Sequence, residues 1–313
     1  MMPGHLQPAQ GGSASRSDTR EITSMAPSDA RGAFERFVRW TIEQEYGPVQ
    51  AVLPEGEREA FASYYNRLPT PGDEASIRRY LRGFWRSEAG WTAGWLAARS
   101  RARGRRPRVM DAGSGFGNYS MLFAAVGAEV TGADLRPDRL DAAERRLRFH
   151  RESTGRDLAV RFVRADLTRD WDAPVDLVWV YNALSHIDPL EAFLAQARKH
   201  LVPGGVLVVG DINGAHPEHV ARLQQLRGDA VHQEYVAPDG ERHTYAVERT
   251  FPPAEIRKIF ESNGLRMVAH EIYWGGLGAL PDPVYRLCLA PLQRQWWFGH
   301  GFARRQLVVA TAA

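Results

Sequence analysis

Between Arg31 and Ala98 apolar residues recur at helical spacing. Phe34, Phe37, Val38 and Ile42 form one stripe; Leu81, Phe84, Trp85, Trp91 and Trp95 form a second, with Pro69, Pro71 and Gly72 between them. Steps of three and four put such residues on one helix face, so this region is expected to be helical. From Arg108 onward the pattern alternates between short β-prone runs and helical segments. "RVMDAG", "AEVTGADL", "AVRFVRADL", "PVDLVWVYN", "GVLVVGDIN", "LRMVAHEIYW" and "RRQLVVATA" read as seven strands. "GNYSMLFAAVG", "RPDRLDAAERRLRFHRESTG", "DPLEAFLAQARKHLVPGG" and "PPAEIRKIFESNG" read as helices, two of them with proline early and glycine just past the end. Strands alternating with helices predict an α/β fold, a doubly wound and mostly parallel seven-stranded sheet whose last strand is antiparallel.

Two stretches break the alternation. Residues 230–251 carry a Pro-Asp-Gly turn between β-prone runs and predict a hairpin. Residues 275–302 form a long aromatic excursion between the last two strands, as lids and binding loops often do. Residues 1–30 are rich in Gly, Ser, Pro, Ala and Gln without periodicity and read as a disordered tail. The expected organisation is that tail, a helical cap over 31–104, and a main domain over 105–313 with insertions at 214–251 and 275–303.

Composition adds bounds. Hydrophobic content of 44% and charged content of 25% suit a soluble globular enzyme. Net charge is +3, and all but two of the 40 basic residues are arginine, the exceptions being Lys199 and Lys258. Six arginines between Arg99 and Arg108 could touch nucleic acid, but no interleaved aromatics accompany them, so a solvated helix end is the expectation. Cys288 is the single cysteine, which fits a reducing compartment, and a cytoplasmic location is expected. No apolar run reaches the roughly 18 residues of a membrane span, and no signal-peptide core is visible.

The chemistry begins at "VMDAGSGFG", where Gly113, Gly115 and Gly117 follow the first strand. At the carboxyl edge of an open α/β sheet such a loop lies where ligands bind. Asp134 ends the second strand, 23 residues after Asp111, and is placed for two ribose hydroxyls; Asp166 ends the third and is placed for a purine amine. These acids imply an adenosine. The dinucleotide fingerprint Gly-x-Gly-x-x-Gly would need glycine at 118, where Asn118 stands. Asp111 also adds negative charge where a pyrophosphate would sit, and suits an ammonium-bearing ligand better.

"VMDAGSGFG" resembles the first motif of class I S-adenosylmethionine-dependent methyltransferases. "VTGADL", "RADL", "VDLVWVYNALSHI" and "HLVPGGVLVVGD" resemble their later motifs over roughly Arg108 to Ala312. The resemblance implies a Rossmann-like methyltransferase sheet with an N-terminal helical cap, and S-adenosyl-L-methionine as cofactor. It implies a cofactor site of Asp111, Gly113, Gly115, Asp134 with Leu135, Asp166 with Leu167, and Asn182.

For the acceptor, the residues suggest the following. His186 lies just past the fourth strand, where a near-neutral imidazole suits a general base. If the hairpin strands pair around Pro238-Asp239, Glu234 faces His243 and His232 faces Tyr245. Glu234 would then orient His243 as a second base, and the same face could even ligate a metal, although none is expected. A one-residue slip breaks that constellation. Tyr64, Tyr65, His232, Tyr245 and Trp274 are expected to line the acceptor pocket, with Trp296 and Trp297 as further candidate walls. The expected activity is methyl transfer to a small, apolar or aromatic, natural-product-type acceptor, without nucleic-acid or membrane partners and with a homo-oligomer left open. RNA or protein methylation, or cofactor binding without transfer, remain as alternatives.

Overall fold

The computed structural model describes residues 28–45, 58, 68–169, 171–236, 240, 242–246, 249–273, 280–281, 283–284 and 304–312. Nine strands are described: β1 Arg108–Ala112, β2 Glu129–Asp134, β3 Val160–Arg164, β4 Val175–Tyr181, β5 Leu201–Ile212, β6 His232–Val236, β7 Arg242–Ala246, β8 Leu265–Tyr273 and β9 Arg305–Ala312. Seven of them make one sheet in the order β3-β2-β1-β4-β5-β9-β8, while β6 and β7 pair separately. β1 lies parallel to β2 and β4, and β9 runs antiparallel to both β5 and β8. The expected doubly wound sheet with one antiparallel strand is thus present. The chain leaves β1 towards β2 on one side and returns to β4 on the other, so the crevice between the carboxyl ends of β1 and β4 is the switch point.

Both faces of the sheet are covered. Val109, Leu177, Trp179, Val208 and Val309 join one core with Phe34, Trp85, Trp91, Trp95 and Phe123. The alternate positions Met110, Val178, Val180, Val209 and Val308 join the opposite core with Phe193 and Phe260. Period-two alternation with two apolar faces is what a mostly parallel sheet requires. The first core is roofed by α1 Ser28–Trp40, α2 Glu74–Trp85, α3 Glu88–Arg103 and α4 Asn118–Ala125. α5 Pro137–Thr154, α6 Leu190–His200, α7 Pro217–Arg227 and α8 Pro253–Ser262 complete the set. Asp73 and Ser87 cap α2 and α3 by accepting from Ser76 N–H at 3.1 Å and Ala89 N–H at 3.3 Å. No described helix is long and apolar enough to cross a membrane.

Three expectations need correction here. α1 begins at Ser28 and buries Ala30, so the tail boundary at 30 falls inside a helix. The stretch assigned to an insertion at 214–251 opens with α7, whose proline-started helix was not anticipated. The arginine run is not simply a solvated helix end. Arg99 Nε and Arg105 Nη1 lie 3.1 and 2.8 Å from the buried Asp176 carboxylate, which also accepts from Arg108 N–H at 2.9 Å. Two guanidinium groups therefore clamp α3 to the start of β4, away from the carboxyl edge.

Candidate active site

Gly113, Gly115 and Gly117 all adopt left-handed backbone, with φ of +74°, +51° and +74°, yet they meet different needs. A Cβ on Gly113 would stand 2.6 Å from the Cβ of Ala183, and one on Gly117 would stand 2.5 Å from Phe162 Cζ. Those two let the loop press against its neighbours. A Cβ on Gly115 would meet nothing nearer than Arg139 Nη1 at 3.9 Å. Gly115 is the position facing open space, and its N–H donates to Asp134 Oδ2 at 2.8 Å.

The acids flank this loop. Asp111 is buried and accepts from Ser120 Oγ at 2.6 Å. Burial pushes its carboxyl up to about 7, against the pull of Ser120 and with a small contribution from the charge of Asp134. Asp134 is also held above the ordinary range by burial, moderated by the N–H groups of Arg136 and Gly115. Leu135 follows it, half-buried. Burial raises Asp166 too, but bonds from Thr168 and the Arg169 charge outweigh it and leave the group below its usual value. Its Oδ1 accepts from Thr168 N–H at 2.9 Å and Thr168 Oγ1 at 2.7 Å, so it caps the turn that carries the buried Leu167. Across the switch point Asn182 has φ of +51°, receives Arg305 Nη2 on Oδ1 at 3.0 Å, and donates its N–H to Gly210 O at 2.9 Å.

A family model described as a methyltransferase domain matches residues 110–207, which run from β1 through the glycine loop into β5. Residues 110–207 thus carry a methyltransferase domain. Among curated proteins it is similar to ubiquinone biosynthesis O-methyltransferases: 26% identical over 162 residues to that of Brucella anthropi, and 29% over 163 residues to that of Rhizobium rhizogenes. Those matches cover 51% and 52% of this chain but only 60% and 61% of the relatives' own lengths. Among solved structures, magnesium protoporphyrin IX methyltransferase from Synechocystis PCC 6803 with bound SAH aligns with a TM-score of 0.50 at 15% identity. That alignment covers 86% of this chain and 100% of the other, and it shows the shared fold.

The family's methyl donor is S-adenosylmethionine, and the residues at the methyltransferase switch point fit it. Ser114 Oγ is buried in the glycine loop without a hydrogen-bond partner. Beside it lie the open space at Gly115 and the half-buried Asp134 carboxylate that already accepts from the loop's N–H. A buried hydroxyl with no partner costs roughly 1 to 3 kcal/mol, which a ligand could recover.

On the acceptor side, His186 closes a single helical turn over Leu184–His186 and is half-buried at the end of β4. The hairpin stands beside that turn. His232 Nε2 lies 2.8 Å from Asp188 Oδ2, and Arg249 Nη2 donates to Ile187 O at 2.6 Å. Its register differs from the expected one by a single residue. Tyr235 opposes His243, Glu234 opposes Thr244, Gln233 opposes Tyr245 and His232 opposes Ala246. Directly opposed residues share a face, so His232 and Glu234 occupy one face while His243 and Tyr245 occupy the other. Glu234 therefore does not orient His243; it pairs with Arg242 at 3.1 Å in solvent. The expected four-residue constellation is thereby dissolved. Among the described residues no group of three or more His, Cys, Asp or Glu is placed to hold a metal ion. Tyr64, Tyr65, Trp274, Trp296 and Trp297 lie outside the described residues.

The sequence reading missed two buried polar networks. In the first, the Tyr119 hydroxyl donates to Tyr181, and Tyr181 donates to Glu88. Burial pushes the Tyr181 phenol up to about 12, with the Glu88 charge adding to it, so it stays a protonated donor. Arg305 lies over the Tyr181 ring at 4.6 Å and 3.7 Å from Glu88 Oε1. In the second, Arg146 and Glu45 are fully buried and meet at 2.5 and 2.9 Å; Arg146 also donates to Phe116 O and Asn118 Oδ1 in the glycine loop. One signal for both was present: Glu45 falls three places after Ile42, and Glu88 three places after Trp85, each continuing an apolar stripe.

Proposed function

We propose that this protein transfers the methyl group of S-adenosylmethionine to a small apolar or aromatic acceptor of the natural-product type, with a hydroxyl oxygen as the favoured nucleophile. The single observation that carries the cofactor part is the Gly115 N–H bound to the half-buried Asp134 carboxylate, beside the unpartnered Ser114 hydroxyl at the switch point. The O-methyltransferase names of the curated relatives favour oxygen. In this reading Asp134 binds the ribose with Leu135 against it. Asp166 and Leu167 flank the adenine, and Asp111 supplies negative charge towards the amino acid end.

The cofactor when bound presents an electrophilic methyl group on a cationic sulfur. Attack on it is an in-line displacement, so most of the work left to the protein is alignment, worth several kcal/mol through proximity. Asn182 and the Tyr119–Tyr181–Glu88 network form the wall at the end of β4, and the hairpin stands over the same edge. His186 accepts the proton that an acceptor hydroxyl loses. His186→Ala should slow single turnover at saturating cofactor by about 10²- to 10⁴-fold, the usual weight of general base catalysis, and leave cofactor affinity unchanged. A panel of small phenols assayed by product mass supplies the acceptor for that measurement. A near-wild-type rate between about pH 6 and 9 would replace base catalysis by positioning alone, and move the acceptor to a neutral amine or an electron-rich carbon.

A further inference from the structure

The carboxyl edge of the sheet carries four polar residues in strand order: Asp166 just past β3, Asp134 at the end of β2, Asp111 on β1 and Asn182 just past β4. With Asp166 on the adenine and Asp134 on the ribose, the amino acid end of the cofactor falls at β1 and β4. Asn182 stands at the glycine loop there, because a Cβ on Gly113 would lie 2.6 Å from the Cβ of the next residue, Ala183. Its backbone is left-handed, with φ of +51°, a conformation that asparagine adopts more readily than most residues. Arg305 Nη2 donates to Asn182 Oδ1 at 3.0 Å, while Asn182 Nδ2 has no hydrogen-bond partner among the described residues. A guanidinium carries donors and no acceptor, so only the carbonyl end of the amide can face it. The NH2 end of Asn182 is thereby turned away from Arg305.

Arg305 is itself held in place. It opens β9, paired with Ile212 of β5 and Tyr273 of β8. Its guanidinium lies over the Tyr181 ring at 4.6 Å and 3.7 Å from Oε1 of the buried Glu88. Gly210 makes room for this cluster, since a Cβ there would stand 2.8 Å from Tyr181 Cδ2 and 3.2 Å from Glu88 Oε1. The cofactor's own carboxylate needs donors, and ionised Asp111, Asp134 and Asp166 supply none. The loop N–H groups of Gly113, Ser114, Gly115 and Gly117 are already bonded to Ala133 O, Asp134 and Ser114 O. We propose that Arg305 is a positioning residue for the methyl donor: held by Glu88 and Tyr181, it orients Asn182 so that the amide NH2 binds the carboxylate of S-adenosylmethionine, leaving the ammonium to Asp111. The inference rests on the methyl-transfer reading and deepens it, by assigning the one charged end of the donor that the three acids cannot hold.

The test titrates the full chain calorimetrically with S-adenosylmethionine and with decarboxylated S-adenosylmethionine, which keeps the ammonium, ribose and adenine. Asn182→Asp retains an oxygen for Arg305 and tolerates the left-handed backbone, but it replaces the NH2 donor by an anion. It should weaken S-adenosylmethionine about tenfold or more and bind the decarboxylated analogue as tightly as wild type does. Arg305→Met frees the amide to turn and should weaken S-adenosylmethionine alone, by about three- to tenfold. Arg305→Lys, whose ammonium also only donates, should restore most of that loss. Retained affinity for the analogue shows that a variant is folded, and Asn182→Asp decides the matter if Arg305→Met does not fold. An Asn182→Asp protein that binds S-adenosylmethionine like wild type, or that loses both ligands equally, would overturn the proposal while leaving the methyl-transfer reading intact. Failure of the wild-type protein to bind S-adenosylmethionine would instead strike that reading, and the inference with it.

Discussion

The two halves of the sheet's carboxyl edge are built differently. On the cofactor half, over β1 and β2, the constraints are buried or half-buried: Asp111 on Ser120 and Arg146 reaching from Glu45 to the loop carbonyl of Phe116 are buried, and Gly115 on Asp134 is half-buried. On the acceptor half, the ion pairs made by the hairpin's own residues are the more exposed ones. His232 and Asp188 keep 46% and 31% of their side-chain surface in solvent, and Arg242 and Glu234 keep 73% and 59%. Buried charge pairs are costly to break, whereas exposed ones contribute little. A methyltransferase that presents one fixed donor and adapts its acceptor would be expected to divide its edge in this way.

Breaking the cofactor half should have the largest effect. Glu45→Gln leaves the Arg146 guanidinium buried without its counter-charge, and should cost about 3 to 5 kcal/mol in denaturant unfolding. It should also weaken S-adenosylhomocysteine binding, because the donor that shapes Phe116 and Asn118 is no longer held in place. A loss below about 1 kcal/mol would mean that the pair is not buried as described. A smaller effect follows from Asp111. Its folded pKa of about 7 stands above the unfolded value of 3.8, so the folded protein holds a proton that the unfolded chain has released between those limits. The stability gained this way is complete below the unfolded pKa and is lost as pH rises through about 7. Thermal unfolding of the ligand-free protein should show that decline, and Asp111→Asn should flatten it. The smallest effect belongs to the acceptor half: Asp188→Asn should change stability by less than about 1 kcal/mol and leave cofactor affinity as it is. A larger stability loss would erase the contrast between the halves.

The same contrast decided what was legible in the sequence. The sheet and its flanking helices could be read because hydrophobic periodicity, proline starts and glycine stops are local signals. β9 was placed correctly as antiparallel, and the glycine loop does lie against Asp134, because strand ends bring those residues together wherever the helices pack. Glu45 and Arg146 were not found, since their contact spans 101 residues and no local pattern names the partner. Glu88 was hidden in the same way among the tryptophans of an apolar stripe. The hairpin failed for another reason. Its existence followed from Pro238, Asp239 and Gly240, but a register error of one residue exchanges every side chain's face, and an exposed two-stranded ribbon has little buried surface to fix its register. α7 went unread because its proline start was absorbed into a stretch judged irregular.

The central claim is that the glycine loop and Asp134 hold S-adenosylmethionine and not a dinucleotide. Isothermal calorimetry with S-adenosylmethionine, S-adenosylhomocysteine and NAD, on the wild-type protein and on Asp134→Ala, measures it directly. Wild type should bind the first two and not NAD, and Asp134→Ala should weaken them by about 1.5 to 3 kcal/mol as the charge-assisted bonds to ribose are lost. Binding of NAD with neither of the others, or an Asp134→Ala protein that binds S-adenosylhomocysteine like wild type, would contradict it.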